Sequence, residues 1–328
     1  MNKSLSRLSA LGIALALAAA GCSSALPQPH PTPVPATVEA VLTPSQVQAV
    51  AGRIAVALGT ADVARDAGAL AQAAFGPAAK IRAAQYTIAT ATGDSAQITA
   101  IPAGIQSSSV SDTDTWPRSS LLVTEQPEDL QPQRLVVVTQ PSARENYAMW
   151  AWVRLFPGAA LSLATPAAEI DLAGADGEAI NAAVDGYVDV LNNGAGAQSA
   201  SQFNAEDELR ASIESRRAEL TKGLTEVKGT YSYAISRPPS EEATTRAWSL
   251  ADGGTLVVTA LTARETAAAP KGAKITPDAI DTALLAGKTV TNRLVTDRQI
   301  VVAMVLPVDE SAIQVVGAEN ARIAASLK

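Results

Sequence analysis

The chain has 328 residues, of which 47% are hydrophobic, 17% are charged and only 4% are aromatic, and its formal net charge is −7. Its one cysteine and its one histidine, Cys22 and His30, both lie close to the N-terminus. The sequence from Pro31 to Lys328 therefore excludes a Ser-His-Asp triad, a cysteine nucleophile, an internal disulfide, and zinc or haem sites built on imidazole or thiolate. We expect no cofactor, no metal, no enzymatic activity and, because the chain is acidic, no nucleic-acid partner.

The N-terminal segment has the form of a secretory signal. Two basic residues precede an apolar run over residues 8–20, which is shorter than the roughly 20 apolar residues of an ordinary transmembrane helix. Residues 19–22, Ala-Ala-Gly-Cys, resemble the bacterial lipobox, in which a signal peptidase cleaves before the cysteine and the thiol carries a diacylglycerol. The resemblance implies a lipoprotein signal peptide over residues 1–21 and lipidation of Cys22. An ordinary secretory signal with an incidental cysteine is the alternative.

A proline-rich stretch follows the proposed lipidation site. Proline occupies every second position from Pro27 to Pro35, which excludes a helix or an inner strand and favours an extended polyproline II conformation. Residues 22–42 are thus predicted to be the lipidated cysteine and a spacer, which at ~3.1 Å per residue would hold the folded part some tens of ångströms from the bilayer. A docking motif for a proline-binding groove is the alternative. His30 lies inside this stretch and is expected to be a solvated bystander.

Two later stretches of the chain each begin with a helix. In the first, Thr43 and Pro44 suit an N-cap and a first helical position, and apolar residues recur at helical spacing after them. In the second, an apolar stripe runs from Ile180 to Leu191. A similar fragment follows each helix, Phe75–Ala83 in the first stretch and Phe203–Ala211 in the second, with both the Phe and the Arg displaced by 128 residues.

Strand patterns dominate the remainder of both halves. The segments that favour β-strands are residues 121–123, 135–138 and 147–156 in the first half, and 227–235, 246–250, 256–261, 290–295 and 300–306 in the second. Helices followed by strands predict an α+β fold with helices on one face of an antiparallel sheet. The length favours two tandem domains, which we place at residues 43–167 and 176–328, each an antiparallel sheet packed by its N-terminal helices.

This order resembles a family of uncharacterised actinobacterial secreted lipoproteins, which share the lipobox, the Pro-rich spacer and two α+β halves. Each half is also similar to the cystatin-like and NTF2-like folds, in which a helix packs on a curved sheet. The resemblance implies an architecture and a location at the extracytoplasmic face of the cell membrane. It implies no activity, because the family has none that could be carried over.

The aromatic residues are concentrated in one predicted strand, at residues 147–156. Alternation along that strand places Trp150, Trp152, Arg154 and Phe156 on one face, and we expect the other face to pack under a helix. A concave aromatic surface with one arginine would suit an amphipathic ligand with an anionic tip, or a sugar. These four residues are therefore the predicted ligand-binding set. The alternative is that the tryptophans fill a core.

Nothing in the sequence has the spacing of a catalytic or metal site. The stretch that ends in Gly287-Lys288-Thr289 lacks the first glycine of a phosphate-binding loop, and the stretch that begins at Asp112 lacks the glycine and the glutamate of a calcium loop. Acidic residues are clustered, but a glycosidase needs two carboxyl groups that face each other across a cleft, which linear spacing does not predict.

Three functions of different classes remain. We expect a non-catalytic, lipid-anchored binding or interaction module of the cell envelope, attached to the membrane through acyl chains on Cys22 (palmitate or similar) and partnered by an envelope protein. A carrier or sensor of a small amphipathic ligand, a lipid or a glycan, is the alternative. A carboxylate-dependent hydrolase is the third.

Overall fold

A computed structural model of the chain describes residues 39–127, 131–239, 244–288, 292–309 and 311–327. The predicted signal peptide, Cys22 and the run of alternating prolines lie outside the described residues.

The first half of the chain supplies two helices and then four strands. The helices are α1 (Pro44–Ala64) and α2 (Gly76–Thr92), and the strands are β1 (Ile105–Val110), β2 (Arg118–Thr124), β3 (Arg134–Gln140) and β4 (Ala148–Leu155). α1 starts where the sequence predicts, because the Thr43 side chain accepts from the backbone of Gln46 while the Gln46 side chain accepts from the backbone of Thr43.

The second half also begins with two helices, and three of its five strands are longer than those of the first half. Its elements are α3 (Ala175–Asn193), α4 (Glu208–Glu226), β5 (Thr230–Ser236), β6 (Thr245–Ser249), β7 (Thr255–Ala268), the short helix α5 (Ala279–Leu284), β8 (Arg293–Leu306) and β9 (Gln314–Leu327). α4 starts at Asp207, whose carboxylate accepts from the backbone of Arg210.

All nine strands belong to one antiparallel sheet. Its order is β1-β2-β3-β4-β9-β8-β7-β5, and β6 lies along the same edge of β7 as β5. The two halves meet where β4 pairs with β9 through Arg154 opposite Ala318 and Leu155 opposite Gly317. A side chain on Gly317 would clash there, since its Cβ would lie 2.6 Å from the carbonyl oxygen of Arg154.

The segment between β4 and α3 joins the outer strands of the two halves. Ala167 donates to the carbonyl of Val110 at the end of β1, at 2.8 Å, and Ser249 of β6 donates to the carbonyl of Ala168, at 3.0 Å. The predicted domain boundary is therefore tied by backbone hydrogen bonds to both halves, and the described residues form one compact unit.

The shared strands face two hydrophobic cores. On β7, Leu256 and Val258 lie in the core built largely by the first half, whereas Val257 and Leu261 lie in the core beneath α3 and α4. The same alternation occurs on β8. The prediction of an α+β fold with a large antiparallel sheet is confirmed, but two separate sheets are not found, because strands of the second half form a wall of both cores.

The two similar fragments lie at equivalent places. Ala74 forms an isolated bridge with Met149 at the start of β4, and Phe203 forms one with Ile313 just before β9. Each bridge is followed directly by the second helix of its half, α2 or α4. β4 and β9 are the last strands of their halves and lie side by side at the centre of the sheet, so the two halves follow one plan.

Among the described residues, α1 is the one helix whose length and composition would allow it to cross a membrane, with a mean hydropathy of 1.3. In the folded chain it packs Val47, Ile54 and Leu58 into the core. Since a core helix passes the same test, α1 does not identify a membrane span.

Candidate ligand-binding clefts

Two of the four predicted ligand-binding residues are buried. Trp152 has no exposed surface and Trp150 is 3% exposed. Trp150 packs against the start of α2 so closely that a Cβ on Gly76 would lie 3.0 Å from its Cδ1, and Arg246 lies over its ring at 4.9 Å. The predicted concave aromatic surface is thus wrong for both tryptophans, because α2 and the Arg246 side chain of β6, and not solvent, lie against their rings.

Trp152 belongs to a buried polar group that we call the Arg82 cluster, comprising Arg82 on α2, Trp152 on β4 and Glu319 on β9. The Trp152 indole donates to Glu319 at 3.2 Å, and the guanidinium of Arg82 lies over the indole ring at 5.4 Å. Arg82 has no exposed surface and donates to the carbonyl of Thr99 at 2.7 Å. Burial raises the pKa of Glu319, although nearby arginines oppose the shift. Arg82 and Trp152 have no exposed surface and Glu319 is 6% exposed, so the cluster is buried.

The other two predicted residues, Arg154 and Phe156, line a cleft of about 230 Å³ that we call the seam cleft. It lies where β4 meets β9, and the start of α4 forms another wall through Glu208, Leu209 and Ser212. The Arg154 side chain is 48% exposed, and its Nε lies 3.6 Å from Glu319. The structure therefore brings Arg154 and Phe156 together but separates them from the tryptophans.

A second cleft, of about 270 Å³, lies between the sheet, the C-terminal half of α4 and the segment that leads into α5. We call it the Arg216 cleft. Its apolar lining is Leu220, Ala267, Ile275, Pro277 and Leu294; its polar lining includes Arg216, Glu219, Tyr231, Glu265, Asp278, Asp281 and Thr296. A cleft between a helix and the sheet that places convergent polar groups beside an apolar wall can hold a small molecule.

Glu265 organises the polar side of the Arg216 cleft. Its carboxylate accepts from Arg216 Nε at 2.6 Å, from the Tyr231 hydroxyl at 2.8 Å, and from Arg298. Burial raises the pKa of Glu265, but Arg298 and Arg216 together outweigh burial and hold that pKa below its ordinary value. Glu265 is consequently a carboxylate at neutral pH.

Arg216 is the arginine that lines the cleft, and it lies close enough to Asp278 and Asp281 for their charges to act on it. Within the described residues, its hydrogen bonds go to Glu265 alone, through Nε, so its two terminal nitrogens have no protein acceptor there. The side chain is 26% exposed. A guanidinium presented in this way forms paired, charge-assisted hydrogen bonds with a carboxylate or a phosphate.

Three of the four acidic residues that line the Arg216 cleft, Glu265, Asp278 and Asp281, are held by partners, whereas Glu219 is exposed and has none within the described residues. Arg322 donates to both Asp278 oxygens, at 2.6 and 2.7 Å, and Thr296 donates to Asp281 at 3.0 Å. Burial raises the pKa of Asp278, but the hydrogen bonds from Arg322 and from the backbone of Asp281, together with the charges of Arg322 and Arg216, outweigh burial and hold the pKa below its ordinary value. Neither Glu265 nor Asp278 is therefore suited to act as a general acid at neutral pH. In the described part of the chain, no group of three His, Cys, Asp or Glu residues is arranged to hold a metal ion.

A chain of hydrogen bonds connects the two clefts. Arg298 donates both to Glu265 in the Arg216 cleft and to Asn320, at 3.1 Å, and Asn320 lines the seam cleft. Both clefts also share α4 as a wall. The sequence shows the alternation of Tyr231 and Tyr233, but it does not show that Arg216, a residue of a polar helix, would meet Glu265 from a strand 49 positions later.

The residues from 38 to 327, which include both halves, match a single family model, described as a domain of unknown function (DUF8094). The chain belongs to the DUF8094 family. No curated protein and no solved structure matches it. The DUF8094 match covers the two halves, both clefts and the buried Arg82 cluster as parts of one domain.

Proposed function

We propose that this DUF8094 protein is a non-catalytic binding module, anchored at the extracytoplasmic face of the cell membrane through acyl chains on Cys22, and that its Arg216 cleft holds a small amphipathic ligand with an anionic head. The observation that carries the proposal is the free end of the Arg216 guanidinium in a cleft with an apolar wall.

The two sides of the cleft suit the two parts of such a ligand. The terminal nitrogens of Arg216 would bind a carboxylate or phosphate head, with Glu265 fixing the orientation of the guanidinium through Nε. Leu220, Ile275 and Leu294 would cover the apolar body of the ligand. Apolar contact and one oriented charge are the features that give small-molecule sites affinity and specificity.

Binding is supported over hydrolysis by the state of the carboxylates. A glycosidase of the usual kind needs one carboxyl group that stays protonated near neutral pH. The arginine partners of Glu265 and Asp278 have the opposite effect, since they lower the pKa of each group. The carboxylates of the cleft therefore fit the role of positioning arginines.

The experiment measures binding by calorimetry with three probes of equal chain length, namely octanoate, octanol and octylamine. Octanoate is expected to bind, and Arg216→Gln is expected to weaken it at least tenfold, because a charge-assisted hydrogen-bond pair is lost. Lys222→Gln, an exposed change on the same helix, is the matched control and should leave binding unchanged. Equal affinity for octanol and octanoate, or an equal loss in both variants, would contradict the proposal.

The anchor is tested separately, because residues 1–38 lie outside the described residues. Cys22→Ala is expected to move the protein from the membrane fraction to the soluble fraction and to abolish incorporation of a labelled fatty acid. Retention in the membrane fraction without label would contradict lipidation at Cys22. An envelope protein as partner remains the second proposal, and crosslinking in intact cells followed by purification of the anchored chain should recover the same protein repeatedly.

A further inference from the structure

We propose that the seam cleft is a second, separate binding site, for a small zwitterion with an apolar side group, a class represented by the free apolar amino acids. The proposal does not depend on a ligand in the Arg216 cleft, since it rests on different residues.

Opposite charges line the seam cleft from different elements. Arg154 comes from β4 and is half exposed, and Glu208 comes from the first turn of α4 and is exposed. Arg154 and Glu208 do not form an ion pair with each other, and within the described residues Glu208 has no hydrogen-bond or ion-pair partner. The closest acidic atom to Arg154 is Glu319 Oε2, at 3.6 Å from Nε, which leaves the terminal nitrogens of Arg154 available.

The remainder of the cleft is apolar with two uncharged polar groups. Leu155, Phe156 and Leu209 line it, and Ser212 and Asn320 supply hydrogen-bonding groups. Phe156 is partly buried against the core of the second half, so its ring is held in place. A ligand with a carboxylate for Arg154, an ammonium for Glu208 and an apolar group against Phe156 matches each part of this lining.

A ligand with a single charge matches the cleft less well. An anion would pair with Arg154 but would lie close to the negative charge of Glu208. A cation would pair with Glu208 but would lie close to the positive charge of Arg154. Like charges brought together in a partly enclosed site are unfavourable. The zwitterion is therefore the charge pattern that both side chains favour, and it differs from the amphipathic anion proposed for the Arg216 cleft.

The test uses the full chain in detergent and compares phenylalanine with N-acetylphenylalanine, which lacks the cation, and phenylalanine amide, which lacks the anion. Phenylalanine is expected to bind at least tenfold more tightly than either. Arg154→Gln should weaken phenylalanine at least tenfold without weakening the amide, and Glu208→Gln should weaken phenylalanine without weakening the N-acetyl compound. Glu206→Gln, an exposed change outside the cleft, is the control.

Three results would overturn the proposal: no binding of phenylalanine, equal binding of a blocked compound, or loss of phenylalanine binding in Arg216→Gln. The last result would place the probe in the other cleft. Urea unfolding of each variant shows that the fold is retained, which is expected because both side chains are substantially exposed. Failure of phenylalanine to bind, with octanoate still bound, would reject the seam site and leave the Arg216 cleft intact.

Discussion

Glu319 and Glu265 are buried glutamates beside the second helices of the two halves, and their surroundings differ. Glu319, next to α2, accepts from the Trp152 indole in a buried cluster, and burial raises its pKa. Glu265, next to α4, accepts from two arginines and a tyrosine at the wall of a cleft, and its pKa is held below the ordinary value. The same plan has produced a structural core in one half and a candidate ligand site in the other.

The difference follows from what each helix presents to the sheet. The buried face of α2 carries Ile81, Ala84 and Ile88 in addition to Arg82, so little space is left over the strands. α4 buries only Leu209, Arg210 and Ile213, all in its N-terminal half. The C-terminal half of α4 therefore stands over the sheet with few apolar contacts and leaves the Arg216 cleft open.

The largest expected effect is the removal of the Trp152 ring from the buried cluster. Trp152→Ala should lower the free energy of unfolding by about 3–5 kcal/mol, since it creates a cavity in a fully packed core and deprives Glu319 of its donor. Urea unfolding followed by circular dichroism measures this. A loss of unfolding free energy below about 1 kcal/mol would show that Trp152 lies on an open face of β4, as the sequence predicted.

The next largest effect is expected at Arg298, a buried arginine that donates to Glu265 in the Arg216 cleft. Arg298→Met should lower the free energy of unfolding by about 3 kcal/mol, because it leaves Glu265 buried with one cationic partner fewer. Arg264→Gln is the matched control: its ion pair with Asp297 is exposed and should contribute less than about 1 kcal/mol. If both variants lost the same free energy of unfolding, the buried Arg298–Glu265 ion pair would be no more stabilising than the exposed Arg264–Asp297 pair.

The opposite pKa shifts predict opposite dependences on pH. Because the folded pKa of Glu319 is raised, its contribution to stability is present below the pKa of the unfolded chain and is lost as pH rises through the folded value. Because the folded pKa of Glu265 is lowered, its contribution is present above the unfolded pKa and is lost as pH falls through the folded value.

Replacement of each glutamate by glutamine isolates these contributions. With unfolding measured from acid to neutral pH, Glu265→Gln should reduce the loss of stability on acidification, and Glu319→Gln should reduce the loss as pH rises. At neutral pH, Glu265→Gln should cost about 1–3 kcal/mol because charge-assisted hydrogen bonds are lost, whereas Glu319→Gln should cost less. If the free energy of unfolding of the two variants changed with pH in the same way, the predicted difference between Glu265 and Glu319 would be wrong.

The smallest expected effect on stability is at the candidate ligand residue itself. Arg216→Gln should change the free energy of unfolding by about 1 kcal/mol or less, since the side chain is partly solvated and Arg298 still holds Glu265. The same variant is expected to bind octanoate at least tenfold more weakly. A large loss of stability without a change in binding would make Arg216 a structural residue only.

Local patterns in the sequence were sufficient for most of the elements, but they missed β1, α5 and the central strand β9, and they did not predict the clefts. Thr43 and Asp207 are capping residues whose effect lies within one helical turn, and the alternation around Leu256 lies within one strand. The faces of β4 were predicted wrongly, because alternation separates two faces but does not say which one a helix covers. Arg154 and Phe156 were found by that alternation, whereas no local pattern distinguishes Arg216 from the other polar residues of its helix.

By itself, the sequence determined most of the helices and strands, the α+β class and the scarcity of catalytic side chains in a body without cysteine or histidine. The tertiary structure decided that β4 pairs with β9, so that two similar halves share one sheet, and that the tryptophans are buried while Arg154 and Arg216 line clefts. The physical reason is the range of the interactions. Caps and periodicity act between neighbours in the chain, but strand pairing, burial and charge networks join residues far apart in sequence, as Trp152 and Glu319 are.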